Sequence, residues 1–126
     1  MKLFVYGTLK RDGALGNVLK DSKFLGEYTT KSKGYAMTSA GGNSFPFVYY
    51  TNQNNPYRIK GELFDVDFGG LRRAINIERS AGYKLLEIDN DIYSFIYPKQ
   101  IGTYSNNIRV DNNKKVMEWV NLWSLF

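Results

Sequence analysis

The sequence predicts an α+β fold that is mainly antiparallel, with two or three helices. Most of the chain consists of short extended runs rich in aromatic and β-branched residues, separated by turns rich in Gly, Asn and Pro. Two further segments repeat apolar residues at helical spacing. The 126 residues, 43% of them hydrophobic, suffice for one core, so residues 1–126 are expected to form a single domain.

The extended runs follow one another along most of the chain. Residues 3–6 carry apolar side chains on both alternating faces, as in a strand at the centre of a sheet or in a barrel. Residues 14–20 favour a short helix or a turn. A Gly-rich loop closed by Pro46 precedes an aromatic run. Further strands are predicted at residues 23–30, 33–39, 47–51 and about 57–66, and after a hairpin turn at 89–91.

The two helical segments are residues 68–78 and 113–123. The second places four apolar residues at i, i+3, i+4 and i+7, which predicts a helix that docks on the sheet and leaves Glu118 on its polar side. These four residues are Val116, Trp119, Val120 and Trp123.

Glu78 conflicts with the pattern of the first helical segment. Phe68, Leu71, Ala74 and Ile75 gather on one side, and Glu78 falls seven residues after Leu71, close to the centre of that apolar stripe. An unpaired carboxylate is costly to bury in such a place. Either the helix has ended and Glu78 reaches solvent, or its carboxylate lines a cavity that uses it.

The composition excludes several kinds of chemistry. The chain has no Cys and no His, so it forms no disulfide, thiolate nucleophile, Ser-His-Asp relay or imidazole metal site. An acid–base catalyst must therefore be Asp, Glu, Lys or Tyr. The pairs Asp65 and Asp67, and Asp89 and Asp91, lack the spacing of a calcium loop and are expected at turns and strand ends.

No run of apolar residues approaches the ~18 that a membrane span requires, and the stretch after Lys2 is too short for a signal peptide. A soluble, cytoplasmic protein with no membrane partner is expected. The net charge of +5 comes from scattered residues without a block of like charges. A dedicated nucleic-acid surface is therefore the weaker interpretation, and ordinary solubilising charge the stronger.

The first predicted strand breaks at Gly7, which Thr8 and Leu9 follow. Glycine permits a positive φ or a close approach of the backbone to a ligand, and successive N–H groups in such a turn can hold an anion. An ordinary turn is the alternative. Tyr6 and Tyr83 beside the predicted strands are expected to be core aromatics with hydrogen-bonded hydroxyls.

Four segments in this order resemble the gamma-glutamylcyclotransferase-like family, also called AIG2-like or BtrG-like. "VYGTL" is similar to its Tyr-Gly-Ser/Thr-Leu signature, and "GYAMTSAGGNSFPFV" to its Gly-Tyr segment and loop ending in Pro. "KGELFDVD" resembles its Gly-Glu-Val-Tyr-Glu-Val strand, and "LRRAINIERSAGYKLLEI" its helix, acidic residue, loop and Tyr. The resemblance extends over residues 2–97.

The resemblance implies a small mixed, mainly antiparallel β-barrel with flanking helices and a cavity at one end. It implies an enzyme that cyclises a γ-glutamyl amide or amine to 5-oxoproline without metal or organic cofactor. By this resemblance, the substrate loop is formed by Tyr6, Gly7, Thr8 and Leu9. The acid–base catalyst is Glu78, and the Tyr that follows the loop after the helix is Tyr83, a further substrate-binding residue.

Two residues depart from the family pattern. Ile75 stands where an Asp is common, and Arg79 where a Gly follows the Glu; an ion pair between Arg79 and Glu78 would lower the pKa of the carboxyl. Two other functions stay open at this point. One is a small-molecule binding module without turnover, and the other is a nucleic-acid or acidic-partner binder that uses the basic surface.

Overall fold

The structure, a computed structural model, describes residues 1–41 and 45–121. In these ranges the chain forms nine β-strands, one α-helix and one short 3₁₀ helix. The strands are β1 (Lys2–Val5), β2 (Lys23–Thr29), β3 (Tyr35–Ser39), β4 (Pro46–Tyr50), β5 (Arg58–Asp65), β6 (Lys84–Asp89), β7 (Ile92–Ile96), β8 (Ile108–Asp111) and β9 (Val116–Trp119). The helices are the 3₁₀ helix Gly16–Leu19 and α1, Phe68–Ser80.

Seven strands form a mixed, mainly antiparallel sheet in the order β6-β7-β1-β5-β9-β8, with β2 on the other edge of β5. β1 is antiparallel to β5 and parallel to β7, and β5 is parallel to β9. β3 and β4 form a separate antiparallel hairpin. The predicted α+β class and mainly antiparallel sheet are confirmed.

Strand β1 lies in the middle of this sheet and separates two apolar clusters. Leu3 and Val5 belong to one cluster, and Phe4 and Tyr6 to the other. All four side chains are buried. This arrangement explains why the strand is apolar on both faces, since neither face meets water.

Helix α1 packs on the cluster that contains Leu3. Asp67 caps its N-terminus, because the Asp67 side chain accepts a hydrogen bond from the Gly70 N–H at 2.7 Å. Ala74 is fully buried, and Leu71 packs against the same cluster as predicted. Phe68, also predicted on the apolar face, is 78% exposed because it is the first helical residue and the core contacts begin only after it.

The predicted helix at residues 113–123 is wrong, because its described part belongs to the hairpin of β8 and β9. Asp111 pairs with Val116, and the turn between them places Lys115 at a φ of 58°. Trp119, only 1% exposed, lies in the core. Pairing of β9 with β5, distant in sequence, outweighs the helical spacing. Residue 123 lies outside the described residues.

Asp89 at the end of β6 joins this strand to the end of β2. Its carboxylate accepts hydrogen bonds from the Tyr28 hydroxyl at 2.6 Å and from the N–H groups of Lys31 and Ser32 at 2.7 and 2.9 Å. Burial opposes ionisation, but these donors lower the pKa of Asp89 below its ordinary value. The predicted strand-end role of Asp89 is confirmed.

Candidate active site

The loop after β1 folds back tightly on itself. The Lys10 N–H donates to the Gly7 carbonyl at 3.1 Å, and the Leu15 N–H donates to the Thr8 carbonyl at 2.8 Å. A Cβ on Gly7 would lie 2.6 Å from Cγ of Pro46, whereas Gly7 has no positive φ. Glycine is therefore required here for a close approach to Pro46, a reason other than the positive φ or the approach to a ligand considered from the sequence.

Glu62 on β5 holds this loop from outside. Its carboxylate, with the residue only 8% exposed, accepts hydrogen bonds from the Arg11 N–H at 2.7 Å and from Arg11 Nε at 3.3 Å. The Arg11 guanidinium also lies 3.5 Å from the centre of the Phe24 ring. This role could not be predicted from the local strand pattern, because Arg11 lies 51 residues away in the sequence.

A cavity of about 190 Å³ lies between this loop, the end of α1, the start of β4 and the middle of β7. All six site residues predicted from the sequence line it: Tyr6, Gly7, Thr8, Leu9, Glu78 and Tyr83. Within residues 1–41 and 45–121, the N–H groups of Thr8 and Leu9 have no hydrogen-bond acceptor. Because backbone donors are rarely left unpaired in a protein interior, these two are available to a ligand.

Glu78 occupies the last turns of α1, where its side chain is partly buried in the cavity wall. The carboxylate therefore lines a cavity and does not simply extend into solvent beyond the end of the helix, which was the other interpretation of the sequence. No described residue forms a hydrogen bond or ion pair with this carboxylate, and Arg79 is exposed. Burial raises the pKa of Glu78 to about 7, so the lowering considered for an ion pair with Arg79 does not occur.

The hydroxyls of Tyr6 and Tyr83 hold the walls of the cavity together. Tyr6 donates to the Phe95 carbonyl and Tyr83 to the Pro46 carbonyl. Burial, chiefly, and the nearby Glu78 raise the pKa of both hydroxyls. Both tyrosines are therefore neutral hydrogen-bond donors with structural partners, and Tyr83 fixes the proline that packs on Gly7.

Residues 1–41 and 45–121 contain no group of three or more acidic side chains placed to hold a metal ion. They also contain no helix that is long and apolar enough to cross a membrane.

The fold and site define an α+β protein with a carboxylate in a cavity whose wall includes backbone donors that have no acceptor in the described part of the chain. The chain matches the family described as "Gamma-glutamyl cyclotransferase, AIG2-like" over residues 3–123, and it belongs to this family. The family supports a cyclotransferase-type function and a small-molecule substrate in general terms.

Known proteins agree with this assignment. A provisionally named gamma-glutamylcyclotransferase of Pyrococcus horikoshii is 32% identical over 94 residues, which are 70% of this chain and 68% of that protein. The crystal structure of the same protein has a TM-score of 0.67 at 26% identity, covering 82% of this chain and 83% of the other. An AIG2-like protein of Mus musculus has a TM-score of 0.60 at 26% identity, with 78% and 76% covered.

Proposed function

We propose that this chain cyclises a γ-glutamyl amide or amine to 5-oxoproline and releases the amine, with Glu78 as general acid and base. The observation that carries the proposal is that one cavity is lined by the Glu78 carboxylate and by the N–H groups of Thr8 and Leu9, none of which has a partner among residues 1–41 and 45–121. Family membership supports the reaction class.

The proposed reaction takes its nucleophile from the substrate. The α-amine nitrogen attacks the γ-carbonyl carbon of the same molecule, a C–N bond forms, and the original amide C–N bond breaks. Glu78 takes one proton from the attacking nitrogen and returns it to the leaving nitrogen. A chain without Cys or His suffices, because holding the substrate in a near-attack geometry is alone worth ~7 kcal/mol or more.

The electrostatics of the cavity suit both proton transfers. A carboxyl whose pKa is about 7 is a stronger base than an ordinary glutamate and still carries a proton readily near neutral pH. The N–H groups of Thr8 and Leu9 would hold the substrate carboxylate or the developing oxyanion. The rate constant kcat/KM is expected to rise with pH through about 7, as Glu78 loses its proton in the free enzyme.

Glu78→Gln tests the proposal, because it keeps the shape of the side chain but cannot accept the proton. We expect formation of 5-oxoproline from γ-glutamyl amines to fall by about 10²-fold or more. The matched control is Glu87→Gln, an exposed residue outside the cavity, which should leave the rate unchanged. Equal rates for wild type and Glu78→Gln would reject the catalytic role, and binding of γ-glutamyl amines without any product would identify a binding module.

A further inference from the structure

The cavity has a buried interior and a partly exposed rim. Its volume of about 190 Å³ is below the ~300 Å³ at which pockets begin to enclose whole drug-sized ligands. The glutamyl part of a substrate would therefore occupy the interior, while the amine that leaves would lie at the rim. The partly buried lining residues are Thr8, Leu15, Phe45, Ile77 and Glu78, and Ala81 is exposed; Leu15, Phe45, Ile77 and Ala81 form the apolar part of this rim.

The described lining contains no Lys or Arg, and its only charged side chain is that of Glu78. Two cations next to the substrate loop are bound elsewhere. Lys10 is buried and donates from Nζ to the Trp119 carbonyl at 2.8 Å, and Arg11 lies on Phe24 with its Nε on Glu62. The undescribed residues 42–44 and 122–126 contain no Lys or Arg in the sequence.

We infer that the leaving amine is apolar and carries no carboxylate, which excludes α-amino acids as preferred leaving groups. This inference depends on the proposed function. A carboxylate at the rim would lose part of its hydration without gaining a cationic partner. An alkyl group there would instead cover Leu15, Phe45 and Ile77 and gain free energy in proportion to the apolar area removed from water.

Two isosteric substrates test the inference: the γ-glutamyl conjugates of 4-methylpentylamine and of 4-aminobutanoate. The amine of the first ends in an isopropyl group, and the amine of the second ends in a carboxylate of similar shape. We expect kcat/KM for the first to exceed that for the second by about tenfold or more. The conjugate of 4-aminobutanamide, polar but uncharged, should fall between them. Equal values, or a preference for the carboxylate, would overturn the inference.

A binding measurement keeps the inference separate from the proposed reaction. Titration calorimetry of the same conjugates on Glu78→Gln should give a Kd about tenfold lower for the 4-methylpentylamine conjugate. If neither conjugate yields 5-oxoproline with wild type, the proposed function fails, and the ratio of the two Kd values still decides the nature of the rim. Equal Kd values reject an apolar preference.

Substitution of the rim tests the physical cause. Ile77→Lys places a cation there and should shift the preference toward the 4-aminobutanoate conjugate by about tenfold, whereas Ile77→Met, of similar size, should not. Arg79→Ala should leave the ratio unchanged, since Arg79 is exposed and is not part of the lining. Loss of activity on the carboxylate conjugate alone in Arg79→Ala would show that Arg79 supplies the cation and would contradict the inference.

Discussion

Glu78→Gln is expected to stabilise the protein above neutral pH, although it removes the proposed catalyst. Burial raises the pKa of Glu78 from its ordinary value of 4.5 to about 7, so the folded chain holds this proton more tightly than the unfolded chain. The free energy of unfolding of the wild type therefore contains a contribution that falls between pH 4.5 and about 7 and is constant above. Glutamine does not titrate and lacks this contribution.

The magnitude follows from the two pKa values. The interval from 4.5 to about 7, at ~1.4 kcal/mol per pH unit, corresponds to a loss of about 3 kcal/mol for a fully shielded carboxylate. Because Glu78 is partly exposed, screening by water reduces this loss. We expect Glu78→Gln to gain about 2 kcal/mol relative to wild type between about pH 4.5 and about pH 8.

Urea unfolding of both proteins at these two pH values measures the gain as a change in their difference. Other titrating groups cancel, since they are present in both proteins. Glu87→Gln removes an exposed carboxylate and changes the net charge by the same amount. It should show no comparable gain in the free energy of unfolding. If the difference between Glu78→Gln and wild type is the same at both pH values, the carboxylate is not desolvated and the electrostatic reasoning about this cavity is refuted.

Three further substitutions test the loop beside the cavity and the link between β6 and β2. Gly7→Ala places a Cβ 2.6 Å from Pro46 and should cost about 1–3 kcal/mol in urea unfolding, with loss of activity; unchanged stability would contradict the close packing. Asp89→Asn should cost about 1–3 kcal/mol at neutral pH. Its cost should begin to decrease as the pH falls below the ordinary pKa of 3.8 and disappear once the pH has passed the lowered pKa of the folded carboxyl; a cost independent of pH would refute this. Glu62→Gln should weaken the hold on Arg11 and raise KM more than it lowers kcat in steady-state assays; equal effects on both would argue against a positioning role.

The features that could be predicted from the sequence are those that depend on residues close together in the sequence. The strand at residues 3–6 and the helix α1 have local patterns that agree with their final environment, and Glu78 was detectable because it breaks such a pattern. The hairpin of β8 and β9 was missed, because its spacing also fits a helix and the deciding partner, β5, is distant in sequence. Tertiary pairing then overrides local preference.

The candidate site shows the same division. The six predicted residues share one cavity, but the positions of Lys10 and Arg11 were not predictable. Their partners, Trp119 and Glu62, are 109 and 51 residues away. Long side chains on a polar loop carry no signal of which way they turn, so the absence of a cation at the rim became visible only in the folded chain.

The central position of β1 has a consequence for biosynthesis. Strand β1 leads into the loop that shapes the cavity, yet the hydroxyl of Ser94 that bonds to the Phe4 carbonyl of this strand lies 90 residues further along the chain. Of the two neighbours of β1, β5 is synthesised first and β7 last, so one edge of this apolar strand stays unpaired the longer, a situation that slows folding and favours aggregation. The cavity is thus assembled only when β7 has been made, because Ser94 and Phe95 of that strand line it together with β1.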